Sequence, residues 1–474
     1  MQRNVLIPLI VACALFMENM DSTVIATSLP AIASDIGESP LALKLALTSY
    51  LVSLAVFIPT SGWVADRFGS RTVFAAAIVV FMGGSLLCAA STSLEAFVIS
   101  RFLQGIGGAM MVPVGRLVLM RAIPKHDYVA ALNYLTIPAL LGPVTGPALG
   151  GAITLYFHWR FIFIINVPIS ILGLWLVLRH IPNIRESRVP PFDMRGFALS
   201  GLGLSVLMLG FSALGGHLLP TSVAVASMVA GVAAVALYAR HARRTPHPVI
   251  DLRLLSLPTF WNGVVAGSVF RAGLGATPFL LPLLFQLGFG LNPLQSGLLT
   301  CMSAVGAMFV KTLTVLILRR FGFRRVLSVN GIAASVIVAA FGLFTMSTPH
   351  LVVGAVLLLS GCLRSLQFTA LNAMSFADIA PGDMSRATSF SSMAQRLSQS
   401  AGIAAGAYLL QLSSSLQGHA TIVAADFWPA FLSIGLVSGV APLLHLRLAP
   451  QAGTEVSGHG VRRSAPIERL RPPR

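Results

Sequence analysis

A chain of 474 residues that is 55% hydrophobic and only 10% charged lies far outside soluble averages, so most of it is built to sit in lipid. The formal charge of +17 would suggest a nucleic-acid partner in a soluble protein. Here the 32 Lys and Arg collect in short segments between apolar runs, the pattern of cytoplasmic loops, which excludes that partner.

A helix needs about 20 mainly apolar residues to cross a bilayer core. Such runs predict fourteen helices, at 5–30, 43–65, 73–91, 95–119, 128–154, 160–180, 195–214, 218–239, 258–287, 294–318, 325–346, 350–376, 386–412 and 427–446. The ten-residue alternation of a barrel strand does not appear. Helix 1 follows Arg3 but has no small-residue cleavage site and continues through Glu18 and Asp21 to Pro30, so it reads as a span and not as a secretory signal.

With both termini cytoplasmic, only Lys44 and Arg160 fall outside, and Arg101, Arg116, Arg271, Lys311, Arg364 and Arg396 lie within spans. All other Lys and Arg are then on the inner side, and an even helix count agrees with that bias. Cys13, Cys88, Cys301 and Cys362 stand singly in apolar spans, without the paired spacing of a zinc or redox site, and read as small buried hydrophobes.

The loop after helix 2 reads DRFGSRTV (66–73) and the loop after helix 10 reads RRFGFRRV (319–326), an offset of 253 residues. The same offset carries the start of helix 1 to the start of helix 9. Helices 9–14 are therefore expected to repeat helices 1–6, with helices 7 and 8 inserted between them. The chain divides on this reading into an N-terminal half (1–182), a two-helix insertion with basic flanks (183–257), a C-terminal half (258–447) and a disordered cytoplasmic tail (448–474).

Four segments carry a resemblance. They are GWVADRFGSR (62–71), RFLQGIGGAMMVPVG (101–115), LLGPVTGPALGGAI (140–153) and MDSTVIATSLP (20–30). Together they resemble the fourteen-helix drug:proton antiporter branch of the major facilitator superfamily, over nearly the whole chain. The resemblance implies an all-α membrane fold of two pseudo-symmetric halves, cargo bound between them, and export driven by a proton gradient without a cofactor or metal. It also implies a conformational motif at Gly62, Asp66, Arg67, Gly69 and Arg71, repeated at Arg320, Gly322 and Arg324. Ser70 departs from it, standing where the family usually has a basic residue. Arg101 is implicated in proton coupling, and the helix 5 antiporter motif is Gly142, Pro143, Gly146, Pro147, Gly150 and Gly151.

The residues themselves add physical expectations. Gly142, Gly146 and Gly150 recur every four positions, giving a face for close helix approach, while Pro143 and Pro147 remove backbone donors and bend the helix. Gly69 permits a tight turn, and Asp66 with the nearby arginines is expected to pair across the halves. Setting aside charges at the very ends of spans, eight charges lie within them, all on helices 1, 4, 9, 10, 12 and 13, whereas helices 3, 6, 7, 8, 11 and 14 carry none and should pack outside. Each such charge costs at least ~2.5 kcal/mol and should face a partner or a water-filled cavity.

Glu18 and Asp21 are the deep carboxylates, one turn apart on helix 1, and are the proton-carrier candidates, with Asp21 favoured. The offset makes Glu18 and Arg271 symmetry mates, expected to approach across the cavity. Arg271, Arg364, Arg396, Lys311, Arg116 and Gln395 line the substrate cavity on this reading, with Arg116 and Lys311 close enough to inner ends to snorkel. The excess of cations suits organic anions. Export of lipophilic or cationic drugs is the alternative, supported by the many Phe and Met.

Other classes find little support. Lys44, Lys125 and Lys311 follow Leu, Pro and Val, so no phosphate-binding loop exists for an ATP-driven pump. No GxSxG or HExxH appears, and the histidines sit in loops, at span edges or in the tail, so the chain is not read as an enzyme. Residue types alone do not separate a carrier from a channel, but the repeat and the helix 5 motif favour alternating access. The expected partners are a small-molecule substrate and the lipid bilayer of a bacterial inner membrane, with no nucleic acid and a monomeric state.

Overall fold

The computed structural model describes residues 3–123, 128–186, 189–214, 220–380, 383–419, 421–449, 451–457 and 459. Among them every regular element is helical. Lipid offers no hydrogen-bond partners, and a helix satisfies its backbone within the segment, so this chemistry leaves little else for so apolar a chain.

The long helices, in chain order, are α1 (Arg3–Ile36), α2 (Lys44–Phe68), α3 (Ser70–Ala90), α4 (Leu94–Ala122), α5 (Tyr128–Tyr156), α6 (Phe161–His180), α7 (Met194–Ala213), α8 (Thr221–Ala242) and α9 (Pro258–Gly288). The second group is α10 (293–321), α11 (323–343), α12 (His350–Ser375), α13 (Met384–Leu416) and α14 (Phe427–His445). Eleven stretches are long and apolar enough to cross a membrane by length and composition. One of them, Pro293–Leu343, is broken at Gly322, where φ is 71° and the chain turns from α10 into α11. Gly69, between α2 and α3, also has a positive φ, 96°. The two RFGxR segments thus place their glycines in the same kind of turn, which a side chain would strain. The α5 and α13 helices, 29 and 33 residues long, are not among the eleven.

Small residues set the tight crossings. Gly142, Gly146 and Gly150 of α5 lie against Met20, Thr23 and Val24 of α1, so the four-residue spacing does form one packing face. In the second group, Gly402 and Gly406 of α13 meet Ala272 and Ala276 of α9 in the same manner. Pro143 and Pro147 remain within a continuous helix.

The two groups of helices meet through α1, where Gln286 of α9 donates to the Thr27 carbonyl at 2.9 Å, and along two flanking seams. Along α5 and α10, Gly151 lies against Pro293 and Leu294, Gly297 against Pro147, and the Cys301 thiol donates to the Val144 carbonyl at 2.9 Å. Past Cys301, toward the end with the basic loops, the same stripe of α10 is exposed at Met308, Lys311 and Thr312. The facing stripe of α5 is exposed at Leu141 and Tyr134. The seam is closed at the Asp35 end and open at the Arg320 end.

Along α2 and α13 the seam is padded by the inserted pair. The α7 helix sets Phe197 against Phe57 of α2, the rings tilted with centres 5.6 Å apart, and Ser212 bonds Thr48 at 3.3 Å. Ala55 of α2, Tyr238 of α8, and Phe390 and Met393 of α13 share one apolar cluster. Lys44, placed by sequence in an outer loop, begins α2 almost fully buried, its ammonium donating to the Leu214 carbonyl at 3.3 Å.

The segment after α14 corrects an expectation. Leu448 is buried and packs into the main core, Gly453 abuts the Phe323 ring, and the His459 ring bonds the Arg319 carbonyl at 2.9 Å. Apolar Leu448 and Ala452 give this stretch something to bury, so it folds back where disorder was expected from 448 onward. The expectation for 460–474 lies outside the described residues.

Candidate functional site

The deep charges gather into three polar clusters. In the first, α1 supplies Asp21 and α4 supplies Arg101 and Gln104, one turn apart on the face toward α1. Arg101 donates to Asp21 at 2.7 Å, and Gln104 and Asn166 each donate to the other Asp21 oxygen at 2.9 Å. Gln104 also donates to Ser85 of α3 at 2.7 Å and accepts from Arg101 at 2.5 Å. Every member is buried, and both carboxylate oxygens are filled. Helices 3 and 6, expected to pack outside, therefore each contribute a polar residue, because a buried ion pair needs its remaining lone pairs satisfied.

The second cluster joins the halves. Glu18 of α1, 1% exposed, accepts from Arg396 of α13 at 3.2 Å and from the Tyr50 hydroxyl of α2 at 3.4 Å, all on Oε1. Its Oε2 is buried with no hydrogen-bond partner among the described residues. Arg396 keeps 24% of its side chain exposed, so the pair has one dry and one wet partner. The Arg101 guanidinium lies 4.3 Å from the centre of the Tyr50 ring.

The third cluster surrounds Arg271 of α9. It donates to the Gly263 carbonyl at 3.2 Å and to Asn372 of α12 at 3.0 Å, and lies 5.6 Å from the Phe368 ring. Gln395 of α13 donates to the same Asn372 oxygen at 3.2 Å and to Ser391 at 3.1 Å. Gly263 belongs to a π-helical turn at Asn262–Ala266, a local loosening of the ladder common at functional sites. Arg271 is 2% exposed and forms no ion pair among the described residues. The expected meeting of Glu18 with Arg271 does not occur. The two-fold relation puts these mates on separate helices of separate halves, and Arg271 turns back onto its own half while the α13 arginine reaches Glu18.

Arg364 is half-buried, Arg116 and Lys311 are exposed, and none of the three has a hydrogen bond or ion pair among the described residues. All three lie past the Glu18–Arg396 pair toward the basic-loop end of their helices. His445, expected near an interface, is fully buried and bonded to Asn262.

The conformational motif also departs from expectation. Asp66 pairs with Arg121 at the end of α4, 2.5 Å away, and Arg121 also pairs with Glu186 at 2.8 Å, so these contacts stay on one side of the molecule. The strand of chain after α6 supplies the rest, with Ser70 N–H donating to the Ile184 carbonyl at 3.1 Å and Trp63 to that of Pro190 at 2.8 Å. Arg67 and Arg320 are exposed, Arg71 is half-buried, and Arg324 lines a small cavity of about 380 Å³ with Gly322 and His459.

Comparison with known proteins follows the same outline. The profile of the Major Facilitator Superfamily matches residues 11–403. A protein of Escherichia coli (strain 55989 / EAEC) named "Putative multidrug resistance protein MdtD" is 36% identical over 461 residues, 96% of this chain and 97% of its own. Its namesake in Shigella sonnei (strain Ss046) is 39% identical over 407 residues, 86% of each chain. Among solved structures, a peptide transporter POT in complex with sulfate superposes with a TM-score of 0.71 at 14% identity, covering 96% of both chains.

Proposed function

Because the chain belongs to the Major Facilitator Superfamily, we propose that it is a proton-coupled secondary transporter that exports small organic molecules, organic anions among them, across a bacterial inner membrane. The observation that carries this reading is the Glu18–Arg396 ion pair, which ties the two halves together midway along α1 and α13. A carboxylate that holds two halves together in one charge state and releases them in the other is what coupling a proton to alternating access requires. The relatives named for multidrug resistance support export as the direction. On the positive-inside pattern the open end is cytoplasmic, both termini are cytoplasmic, and fourteen crossings fall as six, two and six.

We assign the exchangeable proton to Glu18. Asp21 has donors on both oxygens, whereas Oε2 of Glu18 has none and is the place where a proton would sit. Arg101 then serves to hold Asp21 and shape the first cluster. The cargo reading follows from what is left over. Once Asp21 and Glu18 are paired, Arg271, Arg364, Arg116 and Lys311 lack a carboxylate among the described residues, and a permanently charged, forked guanidinium suits an organic acid. The test is transport in sealed vesicles carrying a pH gradient. Citrate is expected to move against its gradient and to exchange in counterflow, while a cationic dye such as ethidium does not. Accumulation of ethidium without citrate would overturn the anion reading, and flux unaffected by collapsing the pH gradient would overturn proton coupling.

A further inference from the structure

Between the first and second clusters stands one residue that touches both. Tyr50 of α2 is 1% exposed, and its backbone carbonyl and hydroxyl lie against Gly105 and Gly108 of α4, where a side chain would displace it. Its hydroxyl donates to Glu18 at 3.4 Å, on the oxygen that also takes Arg396. Its ring carries the guanidinium of Arg101 at 4.3 Å, and the buried Nε of Arg101 has no hydrogen-bond partner among the described residues. The ring face supplies a cation with electrostatic attraction where no acceptor is present.

We infer that Tyr50 is the positioning residue of the coupling site, joining the two ion pairs so that the state of Glu18 is felt by Arg101 and Asp21. This rests on the assignment of the proton to Glu18. The charged and titratable groups facing the site are Asp21 on α1, Arg101 on α4, Arg396 on α13 and, beyond Gln104, Cys88 on α3. When Glu18 is ionised, Tyr50 and Arg396 both donate to Oε1. When Glu18 takes a proton, Arg396 loses its counter-ion, and the hydroxyl loses the charged acceptor that fixed it. The ring keeps its place in the apolar core against the Arg101 guanidinium, which therefore shares in the change. Gly108 thereby acquires a reason beyond helix packing, since it leaves room for the Tyr50 hydroxyl at this crossing.

The direction of the effect follows from which form the hydroxyl stabilises. Its hydrogen bond favours the ionised carboxylate, so removing it makes Glu18 hold its proton to higher pH. Infrared difference spectra of the whole protein, titrated over pH, give a readout that needs no substrate. The carboxylic-acid carbonyl band of Glu18 is identified as the one lost in Glu18→Gln. In Tyr50→Phe the midpoint of that band is expected to rise by up to about one pH unit, the scale of one hydrogen bond to a charged group. Because Phe keeps the ring under Arg101, this variant should stay folded. Tyr50→Leu removes the ring as well, so it should show the same rise together with a lower melting temperature. An unchanged midpoint in Tyr50→Phe, with the band present and lost in Glu18→Gln, overturns the inference and leaves the Glu18 assignment standing. If Glu18→Gln removes no band, the Glu18 assignment and this inference both fall.

Discussion

Asp21 and Glu18 lie three positions apart, and the difference between them is a matter of donors. Asp21 and Arg101 each have about 1% of the side chain exposed, so removing the acid leaves a guanidinium in a dry site. Breaking a buried pair from one side costs about 3–5 kcal/mol. Glu18→Gln leaves Arg396 instead, which keeps contact with water and loses less. Asp21→Asn is therefore expected to lower the thermal unfolding temperature in detergent well below that of Glu18→Gln, while both lose proton-driven transport. Equal melting temperatures would show that Asp21 is not the structural member of the two. The sequence singled out every one of these charges because a charge in a span is costly enough to need a reason. It did not single out Tyr50, Gln104, Asn166 or Asn372, which are neutral and carry no such cost. Gln104 was within reach, since it stands one turn from Arg101 on the same face. Nothing in spacing, however, tells which arginine of the second half turns toward Glu18, and the repeat offset pointed to the wrong one.

At the level of elements, α5 is the most legible helix and also the one with two partners. The stripe of Gly142, Gly146 and Gly150 was readable as a packing face, and it meets α1. The adjacent stripe of Val144, Pro147 and Gly151 meets α10, and that seam parts beyond Cys301. A helix that must stay against one neighbour while moving against another suits a rocking motion of one half on the other. Val144→Cys, in a protein whose only other thiol is Cys301, is expected to cross-link across this seam under mild oxidation and to stop transport until reduced. Cross-linking that leaves transport intact would show that this end of the seam never opens. The packing of α7 against α2 was not legible, because an apolar helix in a membrane shows no stripe that separates a protein-facing side from a lipid-facing one.

For the whole molecule the inserted pair introduces an asymmetry that two equal halves would lack. The α7 helix covers the outer face of the α2 and α13 seam, through Phe197 on Phe57 and Ser212 on Thr48, while the α5 and α10 seam has no such cover among the described residues. Opening on the basic-loop side thus has a preferred flank, and the exposed Lys311 and Thr312 mark it. Single cysteines in an otherwise thiol-free protein test both this opening and the orientation. A membrane-impermeant maleimide should label Thr312→Cys in inverted vesicles and not in intact cells, and Ser39→Cys, beside the α1 terminus at the opposite end, in intact cells alone. Labelling of Thr312→Cys should fall when a proton gradient and an exported anion drive the cycle, because the open flank is then occupied for less of the time. Label on both residues from the same side would contradict the assigned orientation. Steady labelling of Thr312→Cys under turnover would mean that this flank is lipid-facing surface and not the mouth of the path.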